Sequence, residues 1–392
     1  MQTRVVAALP PLAVFVAAGL IAAGRLLVTG WPFDRLWAED GAVFLADALD
    51  HGWRSIGYSY AGYMHGLPRV LTLAGSQLPV SEFAHYAVVV SLVVCALIAS
   101  LVFSVARRVT GSTAWAVLAG LATVTAPALR VESLGSLANL QWFLLYGALW
   151  LCLDRPGTTR WWPSAVVTFI AAVTTPLTVA LFPVVLLHRR RALRHPAVAG
   201  ITVGLALQTC SRLLAPQSGG RVLDRASGIP DGLGRAYLDG VAGIPAATPY
   251  AAVFGTLLLL AGLAALVSAR DRRLAAAVVA LVGALLFVGT SVITNVPAGR
   301  YTGVGTLFLW GALILVASAA RPAISSVVGT LIVAAAVLSF PADPYLVSGP
   351  SWAAEIARAT AACAGPGSPD TVVVPISPEG WGTMALNCGA LR

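Results

Sequence analysis

Residues 161–187 read WWPSAVVTFIAAVTTPLTVALFPVVLL, an apolar run with Thr174-Thr175-Pro176 at its middle. Arginine-bearing connections flank it on both sides: Asp154, Arg155 and Arg160 before it, and HRRRALRH at 188–195 after it. Short Arg-rich connections of a membrane protein stay on the cytoplasmic side. One helix through the whole run would put its ends on opposite sides and force one of these connections outside. A turn at Thr174–Pro176 keeps both inside. Proline supplies the cause, since it lacks an amide donor and disfavours helix in the residue before it. Each limb would be about 12–14 residues, roughly 18–21 Å of helix against a hydrocarbon core of about 30 Å. We therefore read a hairpin that does not fully cross and whose tip needs a protein- or water-lined surrounding.

The rest of the chain takes its sidedness from that hairpin. Of 392 residues, 58% are hydrophobic and only 10% charged, where soluble domains carry about 25% charged. Apolar runs occupy 6–28, 85–106, 112–129, 137–153, 161–187, 196–214, 249–269, 274–294, 301–319 and 322–340. The first lacks a small-residue cleavage site after a short apolar core and is read as a retained helix. With the fifth run folded back, the expected fold is an all-α polytopic membrane protein of about 11 transmembrane segments. Residues 1–340 form the membrane domain, with external loops at 29–84 and 215–248, and 341–392 form a short external C-terminal tail. The N-terminus is then cytoplasmic. On that side lie 13 Arg against Asp154 and Asp271, and outside lie 12 Arg against 14 acids. All 25 basic residues are Arg, and the net charge of +9 reflects this asymmetry rather than a nucleic-acid partner.

The external face should therefore carry the function. Its first loop holds five carboxylates within 17 residues: Asp34, Glu39, Asp40, Asp47 and Asp50. Aromatic groups surround them, and Tyr63, His65 and Arg69 follow. If Ala38–Leu49 is a regular helix, Asp40 and Asp47 share one face, with Ala42, Leu45 and Leu49 opposite. A carboxylate beside an apolar surface has its pKa raised and serves as a general base toward a hydroxyl. Glu39 and Asp40 are the catalytic candidates, with Asp40 chosen as the base, and Tyr63 and His65 are candidates for the acceptor or sugar.

Arginines at the external interface run against the sidedness rule and need a reason. Arg300-Tyr301 stands at the mouth of a late apolar run, Arg69 follows His65-Gly66-Leu67-Pro68, and Arg212 flanks the second long loop. A lipid-linked phosphate gripped by guanidinium groups is one such reason. Snorkelling to headgroups is another. Glu132, Asn139, Gln141 and Trp142 lie at the outer mouth of the fourth run, where amides need partners. A sugar hydroxyl network with Trp142 as a stacking face would satisfy them, and so would helix-to-helix hydrogen bonds. Cys363 and Cys388 stand in the tail, where a disulfide requires an oxidising compartment. His51, His65 and His85 lack HxxxH or HxH spacing, so no zinc site is expected. A Gly-rich phosphate loop and a GxSxG elbow are both absent from the sequence.

An acidic pair in the first external loop, many apolar runs, a short central hairpin and Arg300-Tyr301 at a late external helix mouth together resemble the GT-C superfamily. These are integral-membrane glycosyltransferases that use polyprenyl-phosphate sugars. The resemblance covers residues 1–340 as layout, and Glu39-Asp40 and Arg300-Tyr301 as motif. It implies that Asp40 or Glu39 deprotonates the acceptor and that Arg300 lies near the lipid phosphate. Many members carry a large external C-terminal domain, which this tail is too short to be. The expected activity is inverting transfer of a sugar from a polyprenyl-phosphate donor to a glycan or glycolipid at the outer face of a bacterial plasma membrane. No cofactor is required by this reading, although some relatives use a divalent metal. The alternatives are a flippase of lipid-linked saccharides and a non-catalytic scaffold of an envelope-assembly complex.

Overall fold

The computed structural model describes residues 2–28, 30, 32–129, 133–155, 161–216, 249–269, 271–294, 299–340, 348–380 and 382–391. It is 77% helical, so the fold is decided by how helices pack. Helix α1 (Gln2–Leu27) leads to the first loop, which contains the short helices α2 (Ala46–His51) and α3 (Gly66–Gly75). The bundle continues with α4 (Phe83–Thr110), α5 (Thr113–Thr125), α6 (Leu140–Leu153), α7 (Trp161–Thr174), α8 (Phe182–Leu186) and α9 (Pro196–Leu214). It is completed by α10 (Pro249–Ser268), α11 (Arg273–Thr294), α12 (Gly299–Ala317) and α13 (Pro322–Leu338). Among the described residues, four stretches are long and apolar enough to cross a membrane: Leu9–Leu27, Val80–Thr110, Pro196–Leu214 and Arg273–Thr290. The other apolar helices are shorter. Leu20, Leu260, Leu285 and Val333 are large apolar side chains exposed along the helices, the kind of surface that a bilayer covers.

Hydrogen bonds and ion pairs sort the helix ends into two groups. The buried Arg25, in the last turn of α1, donates to the carbonyls of Val124, Ser339 and Phe340. It thus gathers the C-termini of α1, α5 and α13 and satisfies carbonyls that a helix end leaves open. The first loop lies at this end, called the loop end below. At the other end, Arg108 pairs with Asp154 at 2.7 Å, which joins the ends of α4 and α6. Arg272, just before α11, donates to Thr110 O at 3.0 Å. This second group is the arginine end.

The run 161–187 folds back as expected. Gly200 of α9 lies against Ala165 and Thr168 of α7, and Gly204 lies against Phe169 and Ala172. Four residues further on, Gln208 Nε2 reaches Ala172 O and Val173 O at 3.1 and 2.9 Å. Contacts that advance together along both helices mean that α7 and α9 are parallel, so the chain returns between them. His188 Nε2 lies 2.8 Å from Cys152 O, and His195 Nε2 lies 3.0 Å from Asp154 O. Both ends of the Arg-rich connection that follows the return limb, 188–195, therefore meet the arginine end of α6. At the tip, Thr175 accepts from Leu177 N and Pro176 starts the return limb.

The tail departs from the expected all-helical class. It holds α14 (Trp352–Cys363) and two antiparallel strands, β1 (Thr371–Pro375) and β2 (Thr383–Asn387), with Val373 opposite Ala385. The first strand, TVVVP, is rich in the β-branched residues that strands favour. The second strand, TMALN, is composed largely of residues without strand preference, and its alternate burial supplies the register. Cys363 and Cys388 form a disulfide across a Cα–Cα distance of 5.5 Å, as expected. The unit docks on the first loop. Asp34 accepts from Ala353 N and Ser351 Oγ, Trp352 Nε1 donates to Val80 O, and Ser377 N donates to Leu36 O at 2.8 Å.

Replacing Gln208 with Leu keeps the volume but leaves the Ala172 and Val173 carbonyls without this donor, at about 1–3 kcal/mol per unsatisfied buried group. The variant is expected to unfold at lower temperature in detergent, and an unchanged midpoint would show that other donors serve these carbonyls. In a Cys210→Ser background, cysteines replacing Arg155 and Arg191 are expected to label from the same side of a sealed vesicle. A cysteine replacing the exposed Trp53 should label from the other side. Labelling of positions 155 and 191 from opposite sides would exclude the hairpin.

Candidate functional site

The acidic pair stands where the chain leaves Trp37. Residues 40–45 adopt a π-helical turn that runs directly into α2. Such a turn uses i→i+5 bonds, so the spacing of seven no longer places Asp40 and Asp47 on one face. Asp40 turns inward and is 0% exposed. Its Oδ2 accepts from Leu137 N and its Oδ1 from Ala138 N, each at 2.8 Å. These amides immediately precede α6, whose N-terminal end favours negative charge. Burial nevertheless dominates and lifts the Asp40 carboxyl from the ordinary carboxylate range to about 7, against the two amides, which pull it down. Glu39 adds a smaller upward push. Glu39 itself is half-buried as a residue, with its Oε2 enclosed.

Asp47 points elsewhere. It receives Arg69 Nη1 at 2.8 Å. Arg69 also donates from Nε to Met64 O and lies over the Phe44 ring, 5.2 Å from its centroid. At 1% exposure, this guanidinium is an internal tie between α3 and α2. That corrects the expectation of a phosphate ligand at position 69, because burial favours a fixed carboxylate partner over an exchangeable anion.

His65 occupies the left-handed region at φ +53°, uncommon for a residue other than glycine. Its ring stacks on Tyr63 at 3.7 Å and packs against Phe44 and Tyr60. Burial, with Arg69 contributing, lowers its pKa to about 3, so the imidazole is neutral at physiological pH. Nδ1 lies 3.2 Å from Tyr63 O. With the proton assigned there by that hydrogen bond, Nε2 is an acceptor. The Tyr63 hydroxyl donates to Gln141 Oε1 at 2.9 Å, which ties the first loop to the first turn of α6. Asn139 Oδ1 accepts from Trp142 Nε1 at 3.2 Å. Trp142 is 3% exposed, so its ring is packed inside rather than offered as a stacking face.

Arg212 is exposed in the last turn of α9, and a side chain on Gly62 would meet its guanidinium at 3.9 Å. The adjoining Ser211 donates to Gly57 O, and Pro216 O accepts from Ser59 N. Arg300 and Tyr301 fall in the first turn of α12, which packs against Pro127–Leu129 in the loop that leads to Leu137. Their side chains, Glu132 and residues 217–248 lie outside the described residues. Among the described residues, no group of three or more His, Cys, Asp or Glu side chains could hold a metal ion. Two residues that sequence reasoning did not single out prove central, Arg25 and Gln208. Each is a polar side chain in an apolar run, a signal of an internal partner.

Asp40 makes a pH prediction. The folded state holds its proton up to about pH 7, whereas the unfolded state loses it near 3.8. Between these values the folded state binds more protons, so this group's contribution to stability falls as pH rises and levels off above about 7. Asp40→Asn removes that slope. The stability gap between wild type and variant, measured by thermal unfolding in detergent, should shrink from pH 4.5 to pH 8. A widening gap would show that the fold stabilises the carboxylate instead. Comparison with family models, curated proteins and solved structures finds no match to this chain.

Proposed function

We propose that this chain is a membrane glycosyltransferase that moves a sugar from a polyprenyl-phosphate donor to a glycan or glycolipid acceptor, with inversion, at the external face. The observation that carries the reading is the contrast between the two ends of the bundle. The loop end gathers Glu39, Asp40, the Tyr63–His65–Gln141 group, Arg212 and the first turn of α12. Ser59, Thr72, Ser133 and Ser377 add buried hydroxyls there that bond to no described residue. The arginine end carries Arg107, Arg108, Arg189, Arg191, Arg194, Arg272, Arg273 and Arg321. The positive-inside rule assigns that end to the cytoplasm. With α7 and the return limb counted separately, the reading has eleven membrane segments, a cytoplasmic N-terminus and an external tail in a bacterial plasma membrane.

In this mechanism the acceptor oxygen attacks the anomeric carbon from the face opposite the phosphate. The carbon–oxygen bond to the polyprenyl phosphate breaks, and the phosphate leaves with the bonding pair. The acceptor proton passes to a carboxylate. We assign that role to Glu39, which is only half-buried, and give Asp40 the task of anchoring the segment, since backbone amides occupy both of its oxygens. Arg300, with Arg212, would stabilise charge on the departing phosphate, a preorganised electrostatic effect. The flippase reading draws on one feature, the half-length hairpin of α7, because transporters build sites from discontinuous helices.

Glu39→Gln is expected to keep its unfolding midpoint and lose about 10²–10⁴-fold in transfer rate. Mass analysis of glycolipids formed by purified protein from a polyprenyl-phosphate sugar reads this directly. Transfer at the wild-type rate would remove Glu39 as the base. Movement of the donor across vesicles without a new glycosidic bond would favour the flippase.

A further inference from the structure

A second surface lies far from the acidic loop, at the arginine end. Between α10 and α13 runs a crevice of about 510 Å³ whose walls include Leu260, Leu263, Val267 and Ile324, with Ser268 and Arg321 as its polar members. That volume is within the range of about 300–1,000 Å³ typical of small-molecule sites. The three α10 side chains are more than half exposed and extend over about 10 Å of helix. A neighbouring crevice of about 200 Å³, shared at Leu263, is lined only by Leu, Ala, Val and Gly. Only the first therefore offers a charge.

The arginines of this corner differ in what they bind. Arg272 donates to Ser318 Oγ and Thr110 O, and Arg273 to the carbonyls of Leu266 and Val267 at the end of α10. Arg321 is exposed, and its guanidinium makes no hydrogen bond or ion pair with a described residue; only its carbonyl is engaged, accepting from Ser325 N. It stands at the N-cap of α13, which lacks a side-chain cap. The Ser268 hydroxyl donates to Ala265 O at 3.0 Å and keeps its acceptor lone pairs. An uncommitted guanidinium above a lipid-facing apolar slot matches a ligand with an anionic head and a hydrocarbon tail.

We propose that this crevice binds an anionic phospholipid of the leaflet at the arginine end, with its phosphate on Arg321 and one acyl chain along Leu260, Leu263, Val267 and Ile324. The site is separate from the acidic loop, and its test needs no transfer assay. Full-length protein, purified and delipidated in detergent, is mixed with phosphatidylglycerol or with phosphatidylcholine, and bound lipid is counted by native mass spectrometry. Wild type should retain phosphatidylglycerol in preference to phosphatidylcholine. Arg321→Gln should lower phosphatidylglycerol retention about tenfold, the scale of one charge-assisted contact, and leave phosphatidylcholine unchanged. Val267→Trp, at an exposed position, should block the slot and reduce retention of both. Equal retention of the two lipids by wild type, or undiminished phosphatidylglycerol on Arg321→Gln, would overturn the site. Displacement of phosphatidylglycerol by inorganic phosphate at equal concentration would overturn the lipid as its occupant.

Discussion

One side-chain amide closes the hairpin on which the topology depends. In a continuous helix, Ala172 O would accept from residue 176, but Pro176 has no N–H to give. Val173 O would accept from Leu177, whose amide turns to Thr175 Oγ1 instead. Gln208 Nε2 supplies both carbonyls from the neighbouring helix. Its Oε1 accepts from Met64 N at 2.8 Å. A turn inside an apolar bundle exposes backbone groups that lipid cannot satisfy. Here one residue satisfies two of them and, through the same amide, fixes the height of the first loop above the tip.

The loop end is assembled by similar exchanges between side chain and backbone. Asp40 takes the two amides ahead of α6, and Arg25 takes the carbonyls that end α5 and follow α13. Opposite charges are thus matched to opposite helix ends, as the macrodipole favours. Leu67 N donates to Thr174 Oγ1, and a side chain on Gly66 would collide with Val173. The first loop therefore sits directly on the hairpin tip. Arg69 and Asp47 brace it from within, while Glu39 remains the less enclosed member of the acidic pair.

Much of this was legible in the sequence, for physical reasons. Thr174-Thr175-Pro176 and the two Arg-rich connections foretold the fold-back, because proline and charge act locally and do not wait for tertiary partners. The disulfide followed from the two tail cysteines. Partner choice was not legible. Arg69 reads as a phosphate ligand until Asp47 is found 2.8 Å away. Trp142 reads as a stacking face until Asn139 is found to hold its indole. The π turn at Asp40 rotates the acids off a shared face, and a spacing of seven gives no warning of it. The helix in the tail, by contrast, had a usable signal: Trp352, Ile356, Ala359 and Cys363 are buried at helical spacing.

The docking of the tail on the first loop bears on how the protein is made. Asp34 and Ser351 are 317 residues apart in the chain, yet they hydrogen-bond to each other, and Leu36 meets Ser377 just before the acidic pair. At roughly 5–20 residues per second, a ribosome takes tens of seconds to pass from one to the other. The acidic loop emerges well before the tail and acquires its full set of neighbours only once the tail has followed. During that interval its carboxylates lie beneath an unfinished roof, and a nascent chain halted before Ser351 would carry them without the cover that the finished protein provides.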